Sequence, residues 1–584
     1  MNMNNELKAI PYGESEFASI LMENKYYVDK TSFIPLLEAS SKYLFFLRPR
    51  RFGKTLWLSV LQYYYDINEK DNFSHLFQNT YIGKHPTEKR NTYLIMVFNF
   101  SAVNPDTQYV KDSFEDSVRA VVQDFLERYS HFFDKEKRQE ILNLKTTESQ
   151  LRRIFFFTAR KKLKLYFFID EYDNFANTNF ASPKGKKEYT KLTHDQGAFR
   201  FFFNLLKTAT STKGSGLDHL FITGVSPITM DDVTSGMNIG DNISLDPQFC
   251  SLVGFTESEV HNLLTYYIKS ENLSHPIENY MKIIKQWHGG YRFSSNSDEV
   301  VYNSDLILYF IKEFRKIKKL PDNLMDDNIK VDYSKLRHLI LVDQKLNGNF
   351  SRLKQILETG SVRSKINKSF PLEHLLDENN FISLLYYFGL LSITDVKGPR
   401  QVLSIPNLTV KKLMYSYFRE TLREMDSFHA DIYEFADHMD SMAYDGNWQS
   451  VIHFITEQIK SQTSVRNYLD GERAIQMFLL AYLNLTDHYI TFNEPEMNKG
   501  YADIFLEPFL AKYPDLKYGY LIELKYISRK KYSKEKQDEI IVQAKDQLEK
   551  YSRDHQLKMM CEGFVLKRIV LVYKGWELVY FEEI

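Results

Sequence analysis

Strand-like and helix-like patterns alternate along most of the chain. Tyr43 to Leu47 is an uninterrupted apolar run of strand length, closed by Pro49 and a basic turn. Past the turn, Gly53-Lys54-Thr55 opens a predicted helix, Leu56 to Asp66, with apolar residues at helical spacing. Tyr93 to Phe100 predicts a second buried strand, Thr107 to Lys162 two or three amphipathic helices, Leu165 to Asp170 a third strand and His219 to Val225 a fourth. Short, wholly apolar strands between helices predict a parallel sheet covered on both faces. Farther on, Gly254-Phe-Thr-Glu-Ser-Glu259 predicts a helix start, with Thr256 as cap and Glu259 completing a capping box. Trp287 to Tyr291 predicts a turn and Pro321 to Asp327 a polar break. The runs Phe388 to Thr394 and Gln401 to Ile405, joined across Val396 to Arg400, predict a hairpin among helices, a winged-helix-like arrangement. The C-terminal stretch predicts a helix from Gly471 and strands at His488 to Phe492, Tyr501 to Leu506 and Tyr518 to Lys525. A polar helix at about Lys534 to Arg553, a strand at Val565 to Tyr573 and a last run from Glu577 to Phe581 follow. The order is αβββαβ.

A chain of 584 residues exceeds one hydrophobic core. The pattern shifts divide it into residues 1–242, a parallel-sheet α/β domain, residues 243–447, largely helical, and residues 448–584, a mixed α/β domain. Lys plus Arg number 75 and Asp plus Glu 76, so no global charge points to nucleic acid or membrane, though local patches still could. Two cysteines, Cys250 and Cys561, lie far apart and argue against a disulfide framework or a cysteine zinc site. Met1 to Ile10 has no apolar leader core, and no apolar run approaches the ~18 residues of a membrane span. A cytoplasmic protein without a membrane partner is expected.

A strand, a loop and a helix N-terminus together favour an anion, through exposed backbone N–H groups and the helix dipole. At Gly53-Lys54-Thr55, Lys54 is placed to reach the β- and γ-phosphates of ATP and Thr55 to ligate Mg²⁺. Arg50 or Arg51 is expected to contact a phosphate or a neighbouring acidic residue. The motif GxxxxGK[ST] has Gly at its first position, where this chain has Arg48. A Gly-Lys-Thr at a helix start also arises by chance. What changes the balance is the strand ending in Asp170-Glu171 about 115 residues on. There Asp170 would hold Mg²⁺ through water and Glu171 orient the attacking water. Thr223, at the end of the fourth strand, is either a γ-phosphate sensor or simply a strand-end threonine.

A second chemistry sits in Asp503, Glu523 and Lys525, a D-x19-E-x-K pattern. Glu523 and Lys525 are two apart on one strand and share a face. A carboxylate there is costly to bury unless a cation accompanies it. Two carboxylates and the Leu524 carbonyl can bind Mg²⁺ or Mn²⁺, which supplies charge stabilisation and an activated water for attack at phosphorus. Lys525 would orient that water or neutralise developing charge. Glu-x-Lys is common on exposed strands, but Leu521, Ile522 and Leu524 mark this strand as buried. Arg529, Lys530, Lys531, Lys534 and Lys536 follow it, as a solvated face or as phosphate contacts. Lys397 and Arg400 at the hairpin tip, and His288 with no ligand-spaced partner, read as structural.

Several words of this sequence resemble a known family: Ile10-Pro-Tyr-Gly13, Tyr27-Val-Asp-Lys-Thr31, Arg48-Pro-Arg-Arg-Phe-Gly-Lys-Thr-Leu56 and Phe168-Ile-Asp-Glu-Tyr-Asp173. Thr223-Gly-Val225, Gly254-Phe-Thr256, Gly290-Tyr-Arg-Phe293 and Val301-Tyr-Asn303 belong with them. They are similar to the AAA-ATPase-like proteins of gut bacteria that carry a C-terminal PD-(D/E)xK nuclease domain. That family also has Arg in place of the first motif Gly. The resemblance implies a P-loop ATPase domain, a helical lid in the middle region and a metal-dependent nuclease. It adds Glu472 as a further metal ligand and Gln547 as a further site residue. The usual Pro before the first Asp is Ala502 here. The function implied is ATP binding, with hydrolysis, coupled to a phosphodiesterase acting on nucleic acid, DNA in preference to RNA. The alternatives are an ATP-gated switch that holds nucleic acid uncut, and a defence or signalling ATPase acting on a protein partner or as a homo-oligomer.

Overall fold

The computed structural model describes residues 7–104, 109–174, 197–212, 214–228, 240–268, 276–326, 328–329, 341–342, 345–346, 348–371, 374–375, 377–424, 432–461, 471–497 and 500–584. Thr107 and Asp327, which bounded two predicted segments, lie outside them. The chain divides into two compact units. One comprises residues 1–339 and 363–409, the other residues 340–362 and 410–584.

The first unit is built on five parallel strands, β1 (Tyr43–Leu47), β2 (Tyr93–Asn99), β3 (Lys164–Asp170), β4 (Leu217–Gly224) and β5 (Asp241–Asn242). Their spatial order is β2-β3-β4-β1-β5. β4 therefore lies between β1 and β3, with Phe46 paired to Thr223 and Phe168 to Phe221. Phe45 to Leu47 and Leu165 to Ile169 are buried at every position, as a sheet covered on both faces requires. The four predicted strands are all present. The two-residue β5 had no apolar run to announce it.

Helix α1 (Lys54–Tyr65) follows the loop after β1. Its N-cap is Gly53 at φ 96°, a left-handed conformation that a side chain would strain. Among the described residues, the Thr107 to Lys162 region holds three helices, α2 (Val110–Arg128), α3 (Lys135–Leu142) and α4 (Thr147–Arg160). Past the sheet come α5 (Glu257–Ile268), α6 (Ile277–His288), α7 (Ser304–Ile317) and α8 (Glu378–Tyr387). The capping box at α5 forms as expected. The Glu259 amide donates to Thr256 Oγ1 at 3.3 Å, and the Thr256 amide to Glu259 Oε2 at 2.8 Å. The predicted turn at Trp287 narrows to Gly289-Gly290, because Trp287 and His288 still belong to α6. His288 is fully buried and its pKa is pushed down to about 3 by burial, so it sits uncharged in the core. The hairpin pairs β6 (Ser392–Lys397) with β7 (Arg400–Ser404). It starts later than predicted because Tyr387 and Phe388 close α8.

The second unit contains α9 (Trp448–Ser461), α10 (Glu472–Leu483), β8 (Tyr489–Asn493), β9 (Ile504–Pro508), β10 (Tyr518–Ile527), α11 (Lys534–Ser552), β11 (Val565–Lys574) and β12 (Glu577–Glu583). The sheet order is β8-β9-β10-β11-β12, with β10 and β11 parallel and the other neighbours antiparallel. Ala544, Leu548 and Tyr551 of α11 join Phe505, Leu521, Val570 and Val572 in one apolar cluster. Thr456 of α9 meets Tyr573 of β11 at 2.9 Å. The predicted αβββαβ order is present, with β12 extending the sheet.

Candidate nucleotide and metal sites

In the first unit, the loop after β1 lines a cleft of about 860 Å³ together with Asp170 and Glu171 of the β3 end. Lys54 Nζ spans the loop and donates to the carbonyls of Arg48 and Pro49, each at 2.9 Å. Burial lowers its pKa, while Asp170, Glu171 and Asp173 pull the other way. Thr55 Oγ1 donates to Asp170 Oδ2 at 2.7 Å, so the two expected Mg²⁺-holding groups already touch. Glu171 takes a left-handed φ of 49°, and its amide donates to Asp170 Oδ1 at 3.0 Å. Burial raises the Glu171 pKa, and Arg50 opposes that. Arg50 also reaches Asn174 at 3.4 Å. Asp173 ties the end of β4, accepting from the Val225 amide at 3.2 Å.

Thr223 is fully buried at the end of β4 and outside the cleft wall, and its hydroxyl donates to Asp170 Oδ1. Thr55 and Thr223 thus hold one oxygen each of the same carboxylate. Arg51 meets the acidic alternative of its prediction, with Nη1 at 3.0 Å from Asp305 and 3.1 Å from Asp326.

Arg48, where the motif has Gly, turns inward. It is 1% exposed and donates to the carbonyls of Leu47 (2.9 Å), Ser244 (2.6 Å) and Phe249 (3.0 Å). Its guanidinium lies 4.4 Å from the Phe46 ring centre and 4.2 Å from that of Phe293. Burial pushes its pKa down to about 10, still far above neutrality. Arg48 therefore anchors the start of the loop to the segment after β5. Gly254 (φ 80°) backs the same loop: its amide donates to Phe52 O at 2.8 Å, and a Cβ there would sit 2.9 Å from Tyr302 O. Arg48→Ala should take a donor from three buried carbonyls, of which Phe249 O keeps the Leu252 amide, and lower stability by about 3 kcal/mol. A calorimetric melting curve unchanged from wild type would refute this.

Sequence reasoning missed part of the cleft wall. Pro11, Tyr12 and Lys30 line it, as do Ser304 and Asp305 at the start of α7. Lys30 is paired at 2.7 Å with Glu259, the same residue that closes the α5 capping box. The signal was present: these residues stand inside or beside Ile10-Pro-Tyr-Gly13, Tyr27 to Thr31 and Val301-Tyr-Asn303.

In the second unit, Ile504 pairs with Ile522, so the antiparallel register brings Asp503 beside Glu523. Asp503 Oδ2 accepts from the Leu524 amide at 2.6 Å. Glu523 is 1% exposed. Its Oε1 accepts from Lys525 Nζ at 2.6 Å, while its buried Oε2 has no hydrogen-bond partner. Burial, then the Glu523 charge, pushes the Asp503 pKa up to about 8. Burial also raises Glu523, against Lys525. For Lys525 itself burial lowers the pKa, but Glu523 and Asp503 outweigh it and the net shift is upward. Two protonation-prone carboxylates and an orphaned buried oxygen fit a divalent cation with Asp503 and Glu523 as ligands.

Glu472 lies close enough for its charge to act on Asp503, Glu523 and Lys525, and it accepts from the Tyr526 amide at 3.2 Å. Among the described residues no three His, Cys, Asp or Glu side chains are grouped to hold a metal ion. Gln547 is half-buried on α11 and makes no hydrogen bond to these carboxylates among the described residues. A residue that the sequence did not flag is Gln476 of α10, whose amide donates to Asp503 O and to Asn493 Oδ1, each at 2.8 Å. β9 runs past the predicted Leu506 to Pro508, which is tolerated there because β9 pairs with β10 only as far as Leu506. Among the basic residues after β10, Lys534 and Lys536 pair along α11 with Asp538 (3.4 Å) and Glu539 (2.9 Å), as a solvated face would.

Among the described residues no helix is long and apolar enough to cross a membrane. The chain is 25% identical over 420 residues to a protein of Azotobacter chroococcum mcd 1 described as an uncharacterized protein in the vnfD 5' region, covering 69% of this chain and 68% of that one. It is similar to the Aeropyrum pernix ORC2 protein (TM-score 0.33, 11% identity, 68% of this chain and 92% of that chain). It is also similar to Cdc6p from Pyrobaculum aerophilum (TM-score 0.26, 11% identity, 71% and 98%). Those likenesses are too distant to bear on fold or function. Residues 11–234 match the family described as predicted AAA-ATPase, and residues 470–583 match the PD-(D/E)XK nuclease superfamily. The chain therefore carries an AAA-ATPase-like domain followed by a PD-(D/E)XK-superfamily domain, as its motif words implied.

Proposed function

We propose that the protein binds and hydrolyses ATP in the cleft at Lys54 and cleaves nucleic acid, DNA in preference to RNA, at Asp503, Glu523 and Lys525. The observation that carries the second half is the buried Asp503–Glu523 pair with Lys525 beside it and one Glu523 oxygen left without a partner. A divalent ion held there would supply charge stabilisation at phosphorus and an acidified water. Asp503 and Glu523 would hold it. Lys525 keeps a positive charge at the same face, where a phosphate oxygen gains charge during displacement.

In the first unit, Lys54 and Arg50 offer cations to the phosphates, Thr55 and Asp170 would hold Mg²⁺, and Glu171 is the base. Its raised pKa and its place on the cleft wall suit a group that takes a proton from water. Glu171→Gln should leave ATP affinity within about threefold of wild type and slow hydrolysis about a hundredfold or more. Titration calorimetry and phosphate release read the two separately, and unchanged turnover would move the base elsewhere. ATP is proposed to gate the nuclease. The test of the whole reading is incubation of the full chain with plasmid, linear and single-stranded DNA and RNA, with Mg²⁺ or Mn²⁺, with and without ATP. No cleavage of any substrate under any condition, with ATP still bound, would favour a switch that holds nucleic acid uncut.

A further inference from the structure

Arg50 and Arg51 are adjacent, yet they are engaged differently. Arg50 belongs to the Glu171 end of the cleft. Arg51 takes a left-handed backbone at φ 66°, a conformation that a residue with a Cβ keeps only where its surroundings impose it. Here four contacts impose it. The Arg51 carbonyl accepts from Ser304 Oγ at 3.2 Å and from the Asp305 amide at 3.3 Å, both in the first turn of α7. Its Nη1 donates to Asp305 Oδ2 at 3.0 Å and to Asp326 Oδ2 at 3.1 Å. That Asp326 oxygen also accepts the Tyr12 hydroxyl at 2.6 Å.

Two aspartates more than 250 positions from Arg51 thus meet at its guanidinium, and Tyr12 joins them through Asp326. Drawing the guanidinium toward a phosphate would leave two carboxylates without this cation, one of them, Asp326, with a side chain only 4% exposed. Charges that deep resist losing their partner. Tyr12, Arg51 and Asp305 nevertheless line the same cleft as Lys54 and Thr55.

We propose that Asp305 and Asp326 are positioning residues for the nucleotide. They clamp Arg51, hold the loop in its left-handed turn, and so set the affinity for ATP through the loop. The proposal rests on the nucleotide reading of the cleft. It makes Arg51 a brace for the loop, in place of the phosphate ligand that its position in the motif suggests.

The test is equilibrium titration of the full chain with a fluorescent ATP analogue. Asp305→Asn, Asp326→Asn and Arg51→Ala are each expected to weaken binding about tenfold. The double variant Arg51→Ala with Asp326→Asn should bind no more weakly than Arg51→Ala alone, a non-additivity that general destabilisation does not produce. Arg51→Lys should recover part of the affinity. Melting curves run alongside, and Asp305→Asn, at the less buried acid, carries the test if Asp326→Asn fails to fold. Unchanged or tighter binding in the folded acid variants overturns the clamp, as does strict additivity of the double variant. Lys54→Ala is the control for the site: if it binds like wild type, or if wild type does not bind, the nucleotide reading falls and the clamp falls with it.

Discussion

Lys54→Ala protein is expected to bind ATP at least about a hundredfold more weakly than wild type, a loss of about 3 kcal/mol or more. The ammonium sits at the centre of the loop, bridging the carbonyls of Arg48 and Pro49. Three carboxylates, Asp170, Glu171 and Asp173, favour its charged form against burial. Were a triphosphate to enter, Lys54 would be the cation at the centre of the loop to meet it. Arg48 is committed to three carbonyls and two rings, and Arg51 to two aspartates. Alanine removes that cation and leaves the helix N-terminus and Arg50 to hold several negative charges. Isothermal titration calorimetry with ATP and Mg²⁺ reads the result. Wild-type affinity in the variant would sink the phosphate-loop assignment. If ATP gates the nuclease, Lys54→Ala should also make cleavage indifferent to added ATP.

Local pattern revealed the parts of the fold that depend on local pattern. Tyr43 to Leu47, Tyr93 to Asn99 and Leu165 to Asp170 are apolar runs bounded by turns, and each is a strand in the sheet. The capping box at Thr256 and Glu259 is a three-residue relation and formed as read. The ends of β1 and β3 were legible as a site because a phosphate loop and an acidic strand end are each recognisable alone. Asp503 and Glu523 were legible because a buried strand with charges on one face is anomalous. That anomaly is independent of what the far side of the molecule does.

What stayed hidden depends on partners far along the chain, from 53 to 275 positions away. Nothing near Arg48 says that it will bury against Ser244, Phe249 and Phe293, so its departure from the motif could be noted and not explained. Arg51 was read as contacting either phosphate or acid, and only Asp305 and Asp326, more than 250 positions on, decide between them. The hydrogen bond of the Thr223 hydroxyl to Asp170 was hidden too, because the strand order β3-β4-β1 supplies that neighbour. Glu472 could be named only through the family resemblance, because its place near Asp503, Glu523 and Lys525 depends on how α10 packs on β10, where it also accepts from the Tyr526 amide.

The C-terminal site should respond to pH and to metal together. The Asp503 pKa is raised from 3.8 to about 8, first by burial and then by the Glu523 charge. A carboxyl raised on folding binds its proton more tightly in the folded chain than in the unfolded one. Its contribution to stability is whole below the unfolded pKa, declines as pH climbs above 3.8, and is lost once pH passes about 8. Metal-free protein should therefore lose melting temperature in its C-terminal unit between those values. A divalent ion takes the place of the proton at the Asp503–Glu523 pair, so Mg²⁺ or Mn²⁺ should raise the melting temperature more at pH 8 than at pH 5 and release protons on binding. Glu523→Ala removes the orphaned oxygen, one ligand and the partner of Lys525 together. It should abolish the metal-dependent rise and reduce cleavage by about three orders of magnitude, while ATP binding at Lys54 persists. Differential scanning calorimetry across pH, with and without Mn²⁺, reads the first effect and a plasmid assay the second. Glu523→Ala protein that still shows the metal-dependent rise, or still cuts nucleic acid, would show that the cation and the chemistry lie elsewhere.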